Sequence, residues 1–546
     1  MVACSRLESV LRAARRALSS SAGRRQRPLA AENPDRHRTA KSSFSCVQRI
    51  RQEQAKHSVL VACIRNVNEN RFLKYLSQFG EVANHFFFDS RGTHAVVEFV
   101  DLQSVESLLS ATRIPRDTDV FVVPYKSRYI KVKTADVGNP PPKCCPQSSI
   151  PINSLLMKLC AAENTEEQML LLLDELQLTE DSLRLRYLVS SLMGDIATAY
   201  FPEATVQLYG SSVNSFGKMG CDLDLFLNLD IKESKPGKTT SAYTAEFWMR
   251  RMSSGRLAQQ KILSVIGECI ESFGPGCNEV QKILNARCPL IRFTHQSSGL
   301  QCDLTADNKI ALISSELLYL YGNLDPRVRA LVFTLRCWAR VHGVTSYISG
   351  HWITNFSITL MVLFFLQKRE PPVIPTLDQL KSLAGKNEKF IIDGQDCTFV
   401  RDLNKIGRSA NTESLDKLLI EFLEFYGKFD FKTSCIDIRK GVEKNKPEAA
   451  ALYIQNPFEQ TLNISKNVNQ SQVQRFVTLA QESAFILQDQ VEKSRKKGKP
   501  WGLASILIAA SSAKGTNNRK VIAAQIGDLL DSLRDSENAG KKQVEH

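Results

Sequence analysis

The stretch Ala204–Asp230, ATVQLYGSSVNSFGKMGCDLDLFLNLD, reads as a strand, a Gly-Ser-Ser turn, a short connector and a second strand. Side chains alternate along a strand, so Asp222 and Asp224 share one face while Leu223 and Leu225 take the other. Carboxylates brought so close raise each other's pKa unless cations lie between them. In a two-ion site the ions sit roughly 3.5–4 Å apart, one activating an attacking hydroxyl and the other neutralising the leaving group. Gly210 lets backbone approach a phosphate, and the hydroxyls of Ser211 and Ser212 can bond to it. Turn and D-x-D together form a nucleotidyl-transfer pattern. A bare D-x-D on an exposed strand edge is the plain alternative.

A two-ion site needs a third carboxylate from a neighbouring strand. Pro289–His295 (PLIRFTH), the polar turn Gln296–Gly299 and Leu300–Thr305 (LQCDLT) read as a hairpin, with Asp303 in its second arm. An acid inside an apolar strand is costly unless paired or metal-bound, which makes Asp303 the candidate. A helix is expected in SSGRLAQQKILSVIGECIESFG, between the aspartate-bearing strands.

Four stretches carry a family resemblance: GSSVNSFGKMGCDLD (210–224), QKILNARCPLIRF (281–293), RALVFTLRCWAR (329–340) and LYIQNPFEQTLNISKNV (452–468). Together they resemble the non-canonical poly(A) polymerase and terminal uridylyltransferase branch of the DNA polymerase β-like nucleotidyltransferases, its mitochondrial members above all, over 57–490. The resemblance implies an α+β protein with an N-terminal RRM-like domain, a palm with a mixed β-sheet and a mainly helical poly(A) polymerase-associated domain. It implies template-independent addition of AMP from ATP to mitochondrial RNA 3′ ends, with Mg²⁺ or Mn²⁺ on Asp222, Asp224 and Asp303. It also implies nucleotide contacts at Gly210, Ser211, Ser212, Ser314, Ser315, Arg336, Arg340, Asn355, Phe356 and Leu462.

Several of these positions depart from the family pattern. Arg336 and Arg340 lie at i and i+4 on one helix face where lysines are usual, and arginine adds a planar fork that lysine lacks. Asn355-Phe356 replaces a Ser-Tyr pair, so the base-stacking ring loses its hydroxyl; Phe356 packed in the core is the alternative. Ser314-Ser315 stands for Asn-Thr near the ribose, and Cys221 for the serine before the first aspartate. Several uridylyltransferases carry histidine where this chain has Leu462. Leucine cannot hydrogen-bond a uracil carbonyl, which fits ATP. A uridylyltransferase and a catalytically silent RNA-binding or dimerisation scaffold remain the alternative functions.

The chain has 546 residues, 43% of them hydrophobic, enough for two or three cores. Its net charge is +14, of which 1–45 contribute +7 and 493–546 contribute +6. The middle is near neutral, so overall charge does not indicate an RNA-binding core. Residues 1–45 are Arg- and Ser-rich, acid-poor and amphipathic through Leu7, Leu11, Ala14 and Leu18, the pattern of a mitochondrial presequence and of a matrix protein.

Residues 57–134 show the β-α-β-β-α-β order of an RNA-recognition motif. Its RNP1-like run Arg91–Phe99 has His94 and Val96 where stacking aromatics belong. Stacking is worth roughly 1–3 kcal/mol per base, so the module reads as an interaction surface, for instance for a homodimer, rather than an RNA reader. The remaining expectations are a linker over 135–150, a helical segment over 151–200, the palm over 195–310, helical domains over 311–490 and a basic, mostly flexible tail over 491–546. Phe356–Leu366 (FSITLMVLFFL) is too short to span a bilayer and reads as a buried helix. Fourteen cysteines show no zinc-ligand spacing and are read as reduced thiols.

Overall fold

The computed structural model describes residues 43–113, 125–133, 138–229, 255–306, 308–346, 350–492 and 500–509. The presequence expected over 1–45 lies outside these residues except for its last three. Helix α1 (Phe44–Lys56) begins there, its first turn capped by the Ser43 hydroxyl accepting from Cys46 N.

The RRM-like order follows as expected: β1 (Ser58–Cys63), α2 (Glu69–Leu76), β2 (Val82–Asp89), β3 (Thr93–Phe99), α3 (Leu102–Ala111) and β4 (Tyr129–Lys131). The sheet runs β4-β1-β3-β2 and gains a fifth strand, β5 (Lys143–Cys144), parallel to β2. The Pro-rich stretch expected to be linker therefore contributes to the sheet.

Alternation divides this sheet into two buried faces. Val59, Val61, Phe87, Ala95 and Val97 pack with Phe72, Leu76, Val105 and Leu108 of the module's own helices. Leu60, Phe88 and Val96 point the other way and share a core with Leu185, Leu188 and Leu192 and with the palm residues Leu223 and Phe293. His94 is buried there too, stacked on Phe88 and bonded to the Tyr129 hydroxyl at 3.3 Å. The face that would read RNA in such a domain is thus covered by the same chain.

Helices α4 (Ile152–Ala161), α5 (Thr165–Leu176) and α6 (Glu180–Tyr200) come next. Leu155, Leu159, Met169 and Leu172 of α4 and α5 join the core of the later helical domain, whereas Leu185, Leu188 and Leu192 of α6 join the palm. The palm sheet contains β6 (Thr205–Tyr209), β7 (Leu223–Asn228), β8 (Cys277–Ile283), β9 (Leu290–His295) and β10 (Leu300–Thr305), with α7 (Arg256–Phe273) between β7 and β8. Its order is β6-β7-β10-β9-β8, with β7 and β10 parallel and the other neighbours antiparallel.

The helical domain comprises α8 (Lys309–Leu324), α9 (Pro326–Val341), α10 (Asn355–Gln367), α11 (Leu377–Ser382), α12 (Leu415–Lys428) and α13 (Gln470–Glu492), with hairpins β11 (Ile391–Ile392)–β12 (Gln395–Asp396) and β13 (Ser434–Asp437)–β14 (Val442–Asn445). Ser357–Gln367 of α10 are all buried. Among the described residues no helix is long and apolar enough to cross a membrane.

One expectation fails at the C-terminus. Within the supposed tail, α14 (Gly502–Ala509) inserts Leu503, Ala504, Ile506 and Leu507 into the helical core. Leu503 N donates to Gln168 Oε1 at 2.7 Å, and His342 Nε2 donates to Ile506 O at 2.8 Å. The basic run before Pro500 hides an apolar octet, GLASILIA, whose burial offsets the entropy of ordering it. Leu503→Ala should therefore cost about 2–5 kcal/mol, read as a lower midpoint in denaturant unfolding; an undocked tail would leave the midpoint unchanged.

Candidate active site

Strand β6 ends at Tyr209, opposite Asp224 of β7. The chain then turns through Gly210–Ser212 directly over that carboxylate. Gly210 has φ +65°, and a Cβ there would stand 2.2 Å from Asp224 Oδ2. Only glycine fits, for conformation and for space. The turn is then pinned from several sides. Ser211 N donates to the Asp224 carboxylate, and Gly210 N donates to Ser315 Oγ at 2.8 Å, which itself donates to Ala311 O at 2.7 Å.

The serines expected on the nucleotide fall into two groups. Ser212 and Ser315 are buried, and their hydroxyls hold the frame of the turn: Ser212 Oγ accepts from Arg186 Nη1 at 3.0 Å. Ser211 and Ser314 are partly exposed, with Ser211 Oγ donating to Cys221 Sγ at 3.2 Å.

Parallel pairing sets Asp303 of β10 in register with Asp224 of β7. Asp222, one residue before β7, is exposed on the same side. Burial first, then Asp303 and Asp222, push the Asp224 carboxyl up to about 7. Burial and Asp303 also raise Asp222, against the opposing pull of Arg292 and Arg186. Asp303 is engaged differently. Arg292, opposite it on β9, donates Nε to Oδ1 at 2.8 Å and Nη2 to Oδ2 at 2.6 Å.

Among the described residues no group of three or more His, Cys, Asp or Glu side chains is arranged to hold a metal ion. The donor set nevertheless suits a hard divalent cation: carboxylate oxygens on adjacent positions of one sheet edge. Asp222, Asp224 and Asp303 are the residues that would hold it, with Asp303 shared with Arg292.

Arg336 of α9 bridges two segments. Its Nη1 donates to Phe216 O at 2.8 Å and its Nε to Asn355 O at 3.2 Å and Thr359 Oγ1 at 2.9 Å. Burial pushes this guanidinium down to about 10. Arg340, one turn on, donates to Thr345 O at 3.3 Å. Asn355 is exposed at the start of α10, and Phe356 is half-buried against the helical core. Leu462 is half-buried in the loop over 452–468, which Ser465 ties to α10 by a 2.9 Å hydroxyl bond with Ser357. Asn463 fixes this loop, accepting from Ile454 N and Ser465 N and donating to Leu452 O.

Comparison with known proteins agrees with this geometry. Residues 165–323 match the family described as Poly(A) RNA polymerase, mitochondrial-like, central palm domain; 43–113 match the RL domain, and 414–462 the Cid1 family poly A polymerase. The Poly(A) RNA polymerase, mitochondrial, of Mus musculus is 50% identical over 95% of this chain and 92% of its own length. Its Homo sapiens counterpart is 52% identical over 90% of this chain and 86% of its own. This chain belongs to the mitochondrial poly(A) RNA polymerase family. A crystal structure of mtPAP in complex with ATPgammaS superimposes with a TM-score of 0.80 at 53% identity, covering 85% of this chain and 99% of that one. Other solved complexes of mtPAP hold UTP, GTP and CTP.

Two residues of this poly(A) polymerase palm escaped the sequence reading. Arg292 had a signal: hairpin register alone places it opposite Asp303. Arg186 had a weaker one, an arginine flanked directly by the buried Leu185 and Tyr187 and followed by the buried Leu188 and Val189.

The raised Asp224 carboxyl has a measurable consequence. A carboxyl whose pKa is higher folded than unfolded lends stability at low pH, and loses it as pH climbs from its unfolded value through its folded one. For Asp224 that window runs from its ordinary value of 3.8 to about 7. With chelator present, the wild-type thermal midpoint should fall as pH rises from about 4 to about 7, and Asp224→Asn should flatten that fall. Parallel curves for the two proteins would refute the assignment of Asp224 as the strained carboxylate.

Proposed function

We propose that this enzyme adds AMP from ATP to the 3′ ends of mitochondrial RNA without a template, releasing pyrophosphate. The observation that carries the reading is the Asp222, Asp224 and Asp303 edge beneath a glycine turn that no side chain could enter. The turn offers the Ser211 hydroxyl to phosphate, while Arg336 and Arg340 lie on one face of helix α9. Phosphoryl transfer depends chiefly on such positioning and charge neutralisation.

Mg²⁺ or Mn²⁺ is the cofactor in this reading, held by the three aspartates. When bound, it neutralises their repulsion and lowers the barrier to attack by the RNA 3′-hydroxyl on the α-phosphorus. For the base, Phe356 supplies an apolar ring and Leu462 an apolar wall. The solved mtPAP complexes include all four bases, so ATP preference in this chain rests on Leu462, which offers uracil no hydrogen bond.

The basic, amphipathic 1–45 supports import to the matrix. The limits in this reading are 57–134 for the RRM-like domain and 195–310 for the palm; β1–β4 lie within the first and β6–β10 within the second, while β5 extends the first sheet past residue 134. The chain also forms a homodimer in this reading. The flat face of the RRM-like sheet is already covered, so its helical side, where Tyr75 and Leu102 are exposed, is the surface offered to a second copy.

An extension assay on an RNA primer with each of four labelled nucleoside triphosphates tests the central reading. ATP should be incorporated best, and Asp224→Ala should reduce extension by about 10³-fold or more with the folded state retained by circular dichroism. Normal extension by Asp224→Ala would overturn it. Leu462→His should shift the ratio of kcat/KM for ATP over UTP toward UTP by roughly tenfold, the scale of one gained hydrogen bond; an unchanged ratio would remove Leu462 from base selection.

A further inference from the structure

Arg186, near the start of α6, is fully buried, yet its hydrogen bonds run to neutral oxygens of three separate segments. Nη1 donates to Ser212 Oγ at 3.0 Å and Asp222 O at 3.1 Å; Nη2 donates to Cys221 O at 2.6 Å and Gln147 Oε1 at 3.1 Å. One planar fork thus fastens the Gly-Ser-Ser turn to the backbone that carries the first aspartate. Stability does not account for it. A buried guanidinium bonded only to neutral groups is expensive, and Arg186 Nε and Gln147 Nε2 are both buried without a partner.

Gln147 brings in the other end of the path. It follows β5, whose Lys143 and Cys144 pair with Phe87 and Phe88 of the RRM-like sheet. Lys143 Nζ binds Asp89 at 2.9 and 3.0 Å and Thr93 Oγ1 at 3.0 Å, while the Cys144 thiol bonds Asp181 in the first turn of α6. The backbone of Gln147 passes so close to Gly220 that a Cβ there would lie 3.2 Å from its carbonyl oxygen. Sheet, β5, Gln147, Arg186 and Asp222 form a continuous chain of contacts.

We propose that Arg186 is a positioning residue that holds Asp222 and the Gly210–Ser212 turn in their working spacing, and that Gln147 ties this grip to the docked RRM-like module. The module then serves the reaction by bracing the palm rather than by stacking bases. This rests on the two-cation nucleotidyl-transfer reading of the site, and the test separates the two. In nucleotide-free protein, Mn²⁺ binding is followed by electron paramagnetic resonance for wild type, Arg186→Lys, Gln147→Leu and the double variant, alongside thermal unfolding and primer-extension kinetics. Wild type should bind Mn²⁺ saturably. Arg186→Lys, which keeps the charge but loses the fork, should bind it about tenfold more weakly. Gln147→Leu should lower kcat severalfold with KM for ATP and RNA little changed and an unfolding midpoint no lower than wild type. The double variant should fall no further in kcat than Arg186→Lys alone, because both act through one link. Should Arg186→Lys fail to fold, Gln147→Leu alone carries the test. Wild-type kcat in Gln147→Leu, additive losses, or a kcat loss matched by lost folded protein would overturn the proposal. Absence of saturable Mn²⁺ binding by wild type would instead overturn the two-cation reading beneath it.

Discussion

The register of two parallel strands, which sets Asp224 beside Asp303 with Asp222 just upstream, is the constraint around which the palm is organised. Three acids on one edge are unfavourable for a folded chain, and the surroundings temper this in separate ways. Arg292 neutralises Asp303 through a bidentate pair, Ser211 N supports Asp224, and Arg186 sits behind the strand as a fixed positive charge. None of these removes the repulsion, which leaves Asp224 poised near neutrality. A site of this kind concentrates unfavourable charge density on one sheet edge, and its rigidity comes from strand register, the Arg292–Asp303 pair and side-chain hydrogen bonds to the turn.

That rigidity is distributed over the fold. Ser315 of α8 holds Gly210 from one side, and Arg336 of α9 holds Phe216 and Asn355 from another. Through α9 and α10 the turn is connected to the large helical core, to which α4, α5 and α14 also belong. Segments distant in sequence, from before the palm and from after the basic run, thus pack in the same core as the helices that hold the Gly210–Ser212 turn.

Much of this was legible in the sequence where local pattern and tertiary role coincide. The β6-turn-β7 unit, the β9–β10 hairpin and the position of Asp303 follow from alternation and turn residues, and the buried α10 from an unbroken apolar run. Strand β8 was missed because CNEVQKI is a mostly exposed edge strand, polar on the positions that an alternation search needs to be apolar. Strand β5 is two residues long in a proline-rich stretch, and α14 follows a lysine-rich run that reads as tail; both are decided by partners far along the chain. The buried serines are subtler. Their residue type matched phosphate contact, but Arg186 and the backbone of Gly210 claim Ser212 and Ser315, and no single-sequence signal distinguishes a hydroxyl that faces a ligand from one that faces a guanidinium.

The RRM-like sheet, with Leu60, Phe88 and Val96 sunk into the same core as Leu223 and Phe293, makes the boundary between the first two domains one of topology and not of cooperativity. Cutting the chain between them would strip water-excluding cover from both pieces at once. A palm prepared alone would present a fresh oily face to solvent, so a loss of activity in such a fragment would report aggregation or loosened strands as readily as lost recognition of RNA. For the same reason the two units should melt together, and drift in sequence on the hidden sheet face should be bounded by the palm it touches rather than by any nucleic acid.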